Sequence, residues 1–227
     1  MTHWTDRIAV FDTETTGTDT EEARIVTACI AVLDAAGEVA GHWTWLIDPG
    51  VEIPDEASAV HGVTTEHARE HGADPKESIG DIANKLAELS LPVVAFNAPF
   101  DFSILRAECE RHELPFTVPD LVVDPFVLDK QIDRYRKGKR QLANVAEHYG
   151  VPLLDAHDAT ADAVAAGRIA QIILQRPSIS ELITPDNAVQ LQRVWKERQN
   201  SSFESYLRRT SDPAAVIQRG WPLLERV

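Results

Sequence analysis

The sequence predicts an α/β protein, a mixed five-stranded sheet with flanking helices, and three observations predict it. Three β-branched apolar runs joined by short turns come first, segments with helical apolar spacing follow, and two short apolar runs interrupt those helices. In the first run, residues 7–13, Ile8-Ala9-Val10-Phe11 leads directly into carboxylates. Residues 25–33 form a second strand, Asp34-Ala35-Ala36-Gly37 supplies a turn, and 39–47 returns as a third, which together make an antiparallel meander. Pro49-Gly50 and Pro54 then punctuate the chain. Residues 75–89 place Ile79, Ile82, Ala83, Leu86 and Leu89 at helical spacing, with proline at the first turn. A buried-type strand at 93–96, a helix at 99–112, a brief strand at 121–123 and helices at 125–132, 141–149 and 158–174 complete the core.

From residue 176 the character changes. Leu191, Val194 and Trp195, then Phe203, Tyr206 and Leu207, recur at spacings of three and four, as one or two amphipathic helices ending before Ser211-Asp212-Pro213. We therefore divide the chain into a domain over 1–175 and a helical C-terminal extension over 176–227. The extension is expected to dock its apolar stripe on the core; the alternative is a partner-binding tail that includes Trp221-Pro222-Leu223-Leu224.

The length, 227 residues, suits one domain with an appendage. No run reaches the roughly 20 apolar residues of a membrane helix, and the N-terminal residues lack the layout of a secretory signal, so a cytoplasmic protein without a membrane partner is expected. Cys29 and Cys109 sit inside apolar segments and read as buried free thiols; neither has the paired spacing of a zinc site. A net charge of −14, from 22 basic and 36 acidic residues, argues against coating DNA through counterion release. It leaves room for an enzyme that touches a few nucleotides at a strand end.

The sharpest local signal is Phe11-Asp12-Thr13-Glu14-Thr15-Thr16-Gly17. Side chains alternate along a strand, so Asp12 and Glu14 point the same way. Two such carboxylates at the end of an apolar strand repel each other and lose hydration unless a cation compensates them. Oxygen ligands without cysteine favour Mg²⁺ or Mn²⁺ over zinc. A bare Asp-x-Glu is common, and by itself reads equally as two exposed acids entering a loop. A second acid, Asp101, follows Asn97 and Pro99 in a first helical turn, where an acid also offsets the helix dipole. The third group is Asp155-Ala156-His157-Asp158-Ala159-Thr160-Ala161-Asp162. Five residues of helix rotate by about 140° net, so His157 and Asp162 converge only if His157 precedes the first full turn. Asp158 competes as an i, i+4 neighbour of Asp162, or serves as a helix-start acid without chemistry.

Taken in order, these three motifs resemble those of the DEDDh exonucleases, the DnaQ-like 3′→5′ group with an RNase H-like fold. The resemblance rests on Asp12 with Glu14, Asn97 with Asp101, and His157 with Asp162. It extends to Val60-His61-Gly62-Val63-Thr64, similar to the family's H-G-[IV]-T segment, and covers about residues 7–170. It implies that Asp12, Glu14, Asp101 and Asp162 hold two divalent ions, Mg²⁺ or Mn²⁺, about 3.5–4 Å apart. It also implies that His157 is the general base for the attacking water, which an unperturbed pKa of about 6.5 suits. Thr15, Thr16, Gly17 and His61 occupy positions that border the terminal nucleotide; Asn97 either contacts substrate or shapes the strand-to-helix turn.

The expected substrate is a single-stranded 3′ end. The Asp-Thr-Glu-Thr-Thr-Gly sequence is most similar to the proofreading epsilon subunit of bacterial DNA polymerase III, which favours DNA and makes a DNA polymerase subunit a candidate partner. RNA trimming of the RNase T or oligoribonuclease kind, an internally cutting RNase H-like nuclease and a non-catalytic polymerase accessory are the alternatives. No sliding-clamp or polymerase-docking motif is recognisable. Residues 134–140, Arg-Tyr-Arg-Lys-Gly-Lys-Arg, hold five basic residues in seven and are expected either as solvated loop or as a track for a phosphate backbone.

Overall fold

The computed structural model describes residues 3–153 and 158–226. His157 lies outside the described residues. The meander forms as expected: β1 (Ile8–Thr15), β2 (Ile25–Leu33) and β3 (Val39–Leu46) pair antiparallel. Next come α1 (Asp55–His61), α2 (Thr65–His71), α3 (Pro75–Leu89), β4 (Val93–Val94), α4 (Pro99–Arg111) and β5 (Val122–Val123). The chain continues through α5 (Pro125–Ile132), α6 (Leu142–Tyr149), α7 (Ala159–Leu174), α8 (Pro177–Ser180) and α9 (Pro185–Thr210). The sheet order is β3-β2-β1-β4-β5, with β4 parallel to β1 and β5 parallel to β4. The carboxyl ends of β1, β4 and β5 therefore share one edge, the position where open α/β sheets place ligands.

Alternation along β1 assigns its two faces. Val10 looks toward α7, where a β-carbon added to Gly167 would collide with the Val10 and Leu33 side chains, so only glycine lets this helix come so close. Phe11 looks the other way, its ring centroid 5.7 Å from that of Phe102 on α4. Asp12 and Glu14 share the α7 face with Val10; Thr13 shares the α4 face. Both cysteines are buried and free, as expected.

Two features differ from the sequence reading or narrow it. The segment after Pro54 holds two short helices, α1 and α2, that apolar periodicity does not reveal, because α1 buries no residue and α2 buries only Thr65 and Ala68. Their signals are polar: Asp55 and Glu56 open α1, and the Thr64 hydroxyl caps α2 by accepting from the His67 N–H. The second feature concerns residues 134–140. Arg136 and Arg140 turn inward, at 2.6 and 2.5 Å from the carboxylate of Asp129, which is fully buried and also accepts from the Tyr149 hydroxyl. Only Arg134, Lys137 and Lys139 remain exposed as cations, beside a Tyr135 that is 87% exposed.

The C-terminal segment packs on the core. Trp195 and Trp221 are buried in the same hydrophobic cluster as the sheet, and α9 lies against α5 and β5. Trp221 thus belongs to the interior instead of to a free tail.

Candidate active site

The carboxyl end of β1 brings Asp12 and Glu14 to the start of α7. Asp158 is the N-cap of that helix, accepting from the Thr160 and Ala161 N–H groups, and Asp162 lies in the first turn. One carboxylate oxygen each from Asp12, Glu14 and Asp162 lie within 4.8 Å of one another. Asp158 is thereby fixed as a capping residue, whose charge still adds to the field on Asp12 and Glu14.

Asp101 arrives from the other face. Its Oδ1 accepts from the Thr13 N–H at 3.1 Å and from the Thr13 hydroxyl at 2.9 Å, so the residue between Asp12 and Glu14 fixes the acid of α4. Asp101 is 3% exposed.

This crowding shows in the proton affinities. Burial first, then the charges of Asp101, Asp162, Glu14 and Asp158, hold the Asp12 carboxyl well above the usual carboxylate range. Burial, then Asp162, Asp101 and Asp158, push Glu14 up to about 8. Asp101 rises to about 7, chiefly through burial, against the opposing pull of its bonds to Thr13. No salt bridge among the described residues reaches Asp12, Glu14 or Asp101. An all-oxygen cluster of this charge suits small hard divalent cations.

Beside the acids lies an open cleft of about 530 Å³, lined by Glu14, Thr15, Thr16, Gly17, His61 and, unanticipated from sequence, Phe100. Val60, Ala57 and Phe100 give it an apolar lining next to the carboxylates. The Thr15 hydroxyl donates to the Gly17 carbonyl, and Thr16 Oγ1 accepts from the Arg24 N–H, so both threonines shape the loop. A side chain at Gly17 would meet nothing within 4 Å, so what that glycine preserves is open space in the cleft. His61 ends α1; its Nδ1 accepts from the Val63 N–H, and burial lowers its pKa against a smaller opposing influence of the Thr15 carbonyl. Asn97 does not line this cleft. It sits at φ 61°, and its Oδ1 accepts from Lys196 Nζ at 3.2 Å, which fits the turn-shaping alternative.

A mixed five-stranded sheet with flanking helices is the fold of RNase H-like exonucleases, and solved structures share it. The Escherichia coli exonuclease I complex with a dT13 oligonucleotide superposes with a TM-score of 0.66 at 19% identity, over 78% of this chain and 43% of that one. The nuclease domain of 3′hExo, a DEDDh family member bound to rAMP, gives 0.64 at 15% identity, over 77% of this chain and 94% of that domain. The family model described as "Exonuclease" (RNase_T) matches residues 9–170, and the chain belongs to that family. Among sequence relatives, the PolC-type DNA polymerase III of Streptococcus thermophilus is 29% identical over 167 residues, and that of Streptococcus pneumoniae 28%. The match covers 73% of this chain and 11% of either polymerase.

Proposed function

We propose that this chain removes nucleotides one at a time from DNA 3′ ends by hydrolysis assisted by two divalent cations, Mg²⁺ or Mn²⁺. The observation that carries the reading is the meeting of Asp12, Glu14 and Asp162 within 4.8 Å, with raised proton affinities at Asp12 and Glu14. Asp12, Glu14, Asp101 and Asp162 would hold the ions, which supply charge stabilisation to the attacking and leaving oxygens.

The chain's own groups then divide the work. His157 takes the proton of the attacking water. Thr15, Thr16, Gly17, His61, Val60 and Phe100 frame a space for the terminal nucleotide, whose apolar lining suits a base face. Thr13 keeps Asp101 aimed at the cluster through two hydrogen bonds. The exposed trio Arg134, Lys137 and Lys139, with Tyr135, follows the strand further back.

DNA is favoured over RNA because the polymerase III relatives and the exonuclease I complex with dT13 are DNA proteins by their names. The rAMP complex of 3′hExo supports RNA as the second reading. Association with a DNA polymerase is proposed on the polymerase relatives, in which the matching segment is a small part of a long chain. No described helix is long and apolar enough to cross a membrane.

End-labelled single-stranded DNA, duplex DNA and RNA, each with Mg²⁺, Mn²⁺ or chelator, test the proposal. Stepwise, chelator-sensitive loss of mononucleotides from DNA is expected. Faster trimming of RNA would shift the substrate assignment, and no release from any strand would end it.

A further inference from the structure

All of α9 and the chain after it lie beyond residue 170, where the match to the exonuclease family stops. Yet this segment grips the turn that launches Asp101. The turn begins at Asn97, a non-glycine residue in the left-handed region at φ 61°. Its successor Ala98 is the N-cap of α4 and offers no capping side chain. The Asn97 and Ala98 N–H groups donate instead to the two oxygens of Asp124, at 3.0 and 3.2 Å. Asp124 is fully buried after β5.

The C-terminal segment completes this arrangement from the far side. Trp221 Nε1 donates to Asp124 Oδ2 at 3.3 Å, and Gln192 bonds both the Asp124 N–H and the Val122 carbonyl. Lys196, 8% exposed, supplies the facing positive charge and donates to Asn97 Oδ1. Further along, the Leu224 N–H donates to Ser103 Oγ, and Arg106 donates to the Leu224 carbonyl, so the tail also fastens α4 directly. Among the described residues, every side-chain bond to this turn from outside β4 and α4 comes from Asp124 or from a residue that faces Asp124.

We propose that Lys196 and Trp221 are positioning residues of the active site: through Asp124 and Asn97 they hold the start of α4 so that Asp101 meets Asp12 across the end of the sheet. The proposal rests on the nuclease reading above. A left-handed non-glycine residue persists only where its surroundings over-determine it. Groups that orient metal-holding carboxylates affect ion affinity and turnover, because reactive geometry tolerates little displacement.

The test uses the full chain with Lys196→Met, Lys196→Arg, Trp221→Phe and, as reference, Asp101→Asn. Two quantities are measured: kcat and KM on end-labelled single-stranded DNA, and Mn²⁺ affinity by calorimetry without DNA. Lys196→Met is expected to lower kcat and weaken Mn²⁺ binding by roughly 10–100-fold, with KM nearly unchanged. Lys196→Arg should recover most of both, and Trp221→Phe, which deletes the indole hydrogen bond and leaves a smaller aromatic ring in the same place, should show the same pattern in weaker form. A raised KM with normal kcat would make Lys196 a strand contact and overturn the proposal, as would variants with wild-type metal affinity and turnover. Should Lys196→Met fail to fold, Trp221→Phe decides alone. A wild-type chain that binds Mn²⁺ but cuts no strand defeats the nuclease reading, while the calorimetric arm still decides whether these residues position the cluster.

Discussion

Two groups of acids in this protein, one fully buried and one half-buried, follow opposite logic. Asp129 is fully buried, but Arg136, Arg140 and Tyr149 surround it, so its charge is compensated within the chain. Among the described residues, the charges that shift Asp12 and Glu14 are all acids. The first arrangement is complete when the chain folds. The second costs stability until something positive arrives, and residues selected only for folding would not keep it. Function is visible in which carboxylates the described residues leave without a facing cation.

The comparison breaks most directly by neutralising one acid from each group. Asp12→Asn should abolish strand trimming, by about a thousandfold or more, while raising the melting temperature of the metal-free protein and erasing its Mn²⁺-dependent rise. Asp129→Ala should leave half-buried Arg140 without its carboxylate and Arg136 with only the more distant Asp133, and cost about 3–5 kcal/mol. Thermal melts of both variants with and without Mn²⁺ check the contrast. It fails if Asp12→Asn destabilises the metal-free chain as Asp129→Ala does.

Proton linkage sharpens the same contrast. Folded Glu14 holds its proton to about pH 8, whereas the ordinary value is 4.5. Between those values the folded state binds more protons than the unfolded one, so stability falls as pH rises. Metal-free melting temperature should therefore drop from pH 5 to pH 8, each kcal/mol lost costing roughly 2–4 °C. Saturating Mg²⁺ should flatten the slope by keeping the carboxylates ionised. A metal-free chain whose melting temperature holds level or climbs over this range would contradict the picture.

The smallest expected effect separates the inward from the outward arginines and lysines of 134–140. Replacing Arg134, Lys137 and Lys139 together with serine should weaken single-strand binding and reduce its log–log salt slope by up to about 2, with stability nearly intact. Binding titrations at several salt concentrations read this, and an unchanged slope removes the loop from the strand path.

Much of the architecture was legible because it rests on local patterns. Helix α3 keeps the bounds its apolar spacing implies, α5 keeps its expected bounds, and β1 carries Asp12 and Glu14 on one face because strands alternate. The strands β4 and β5 shrink to two residues each, shorter than the 93–96 and 121–123 that their apolar runs imply. Helices α1 and α2 escaped notice because they bury almost nothing, although Thr64 announced a cap. Phe100 gave no signal in sequence, because its place in the cleft depends on where α4 starts relative to α1.

By itself the sequence determined the acids, their order and the strand geometry that aims Asp12 and Glu14 together, since these follow from residue identity and a period of two. Only the tertiary structure decided that Asp158 caps a helix while Asp162 joins the cluster, that Arg136 and Arg140 serve Asp129, and that Lys196 and Trp221 meet Asp124. Those outcomes depend on contacts between segments far apart in the chain, where charge and burial find partners that no local pattern encodes.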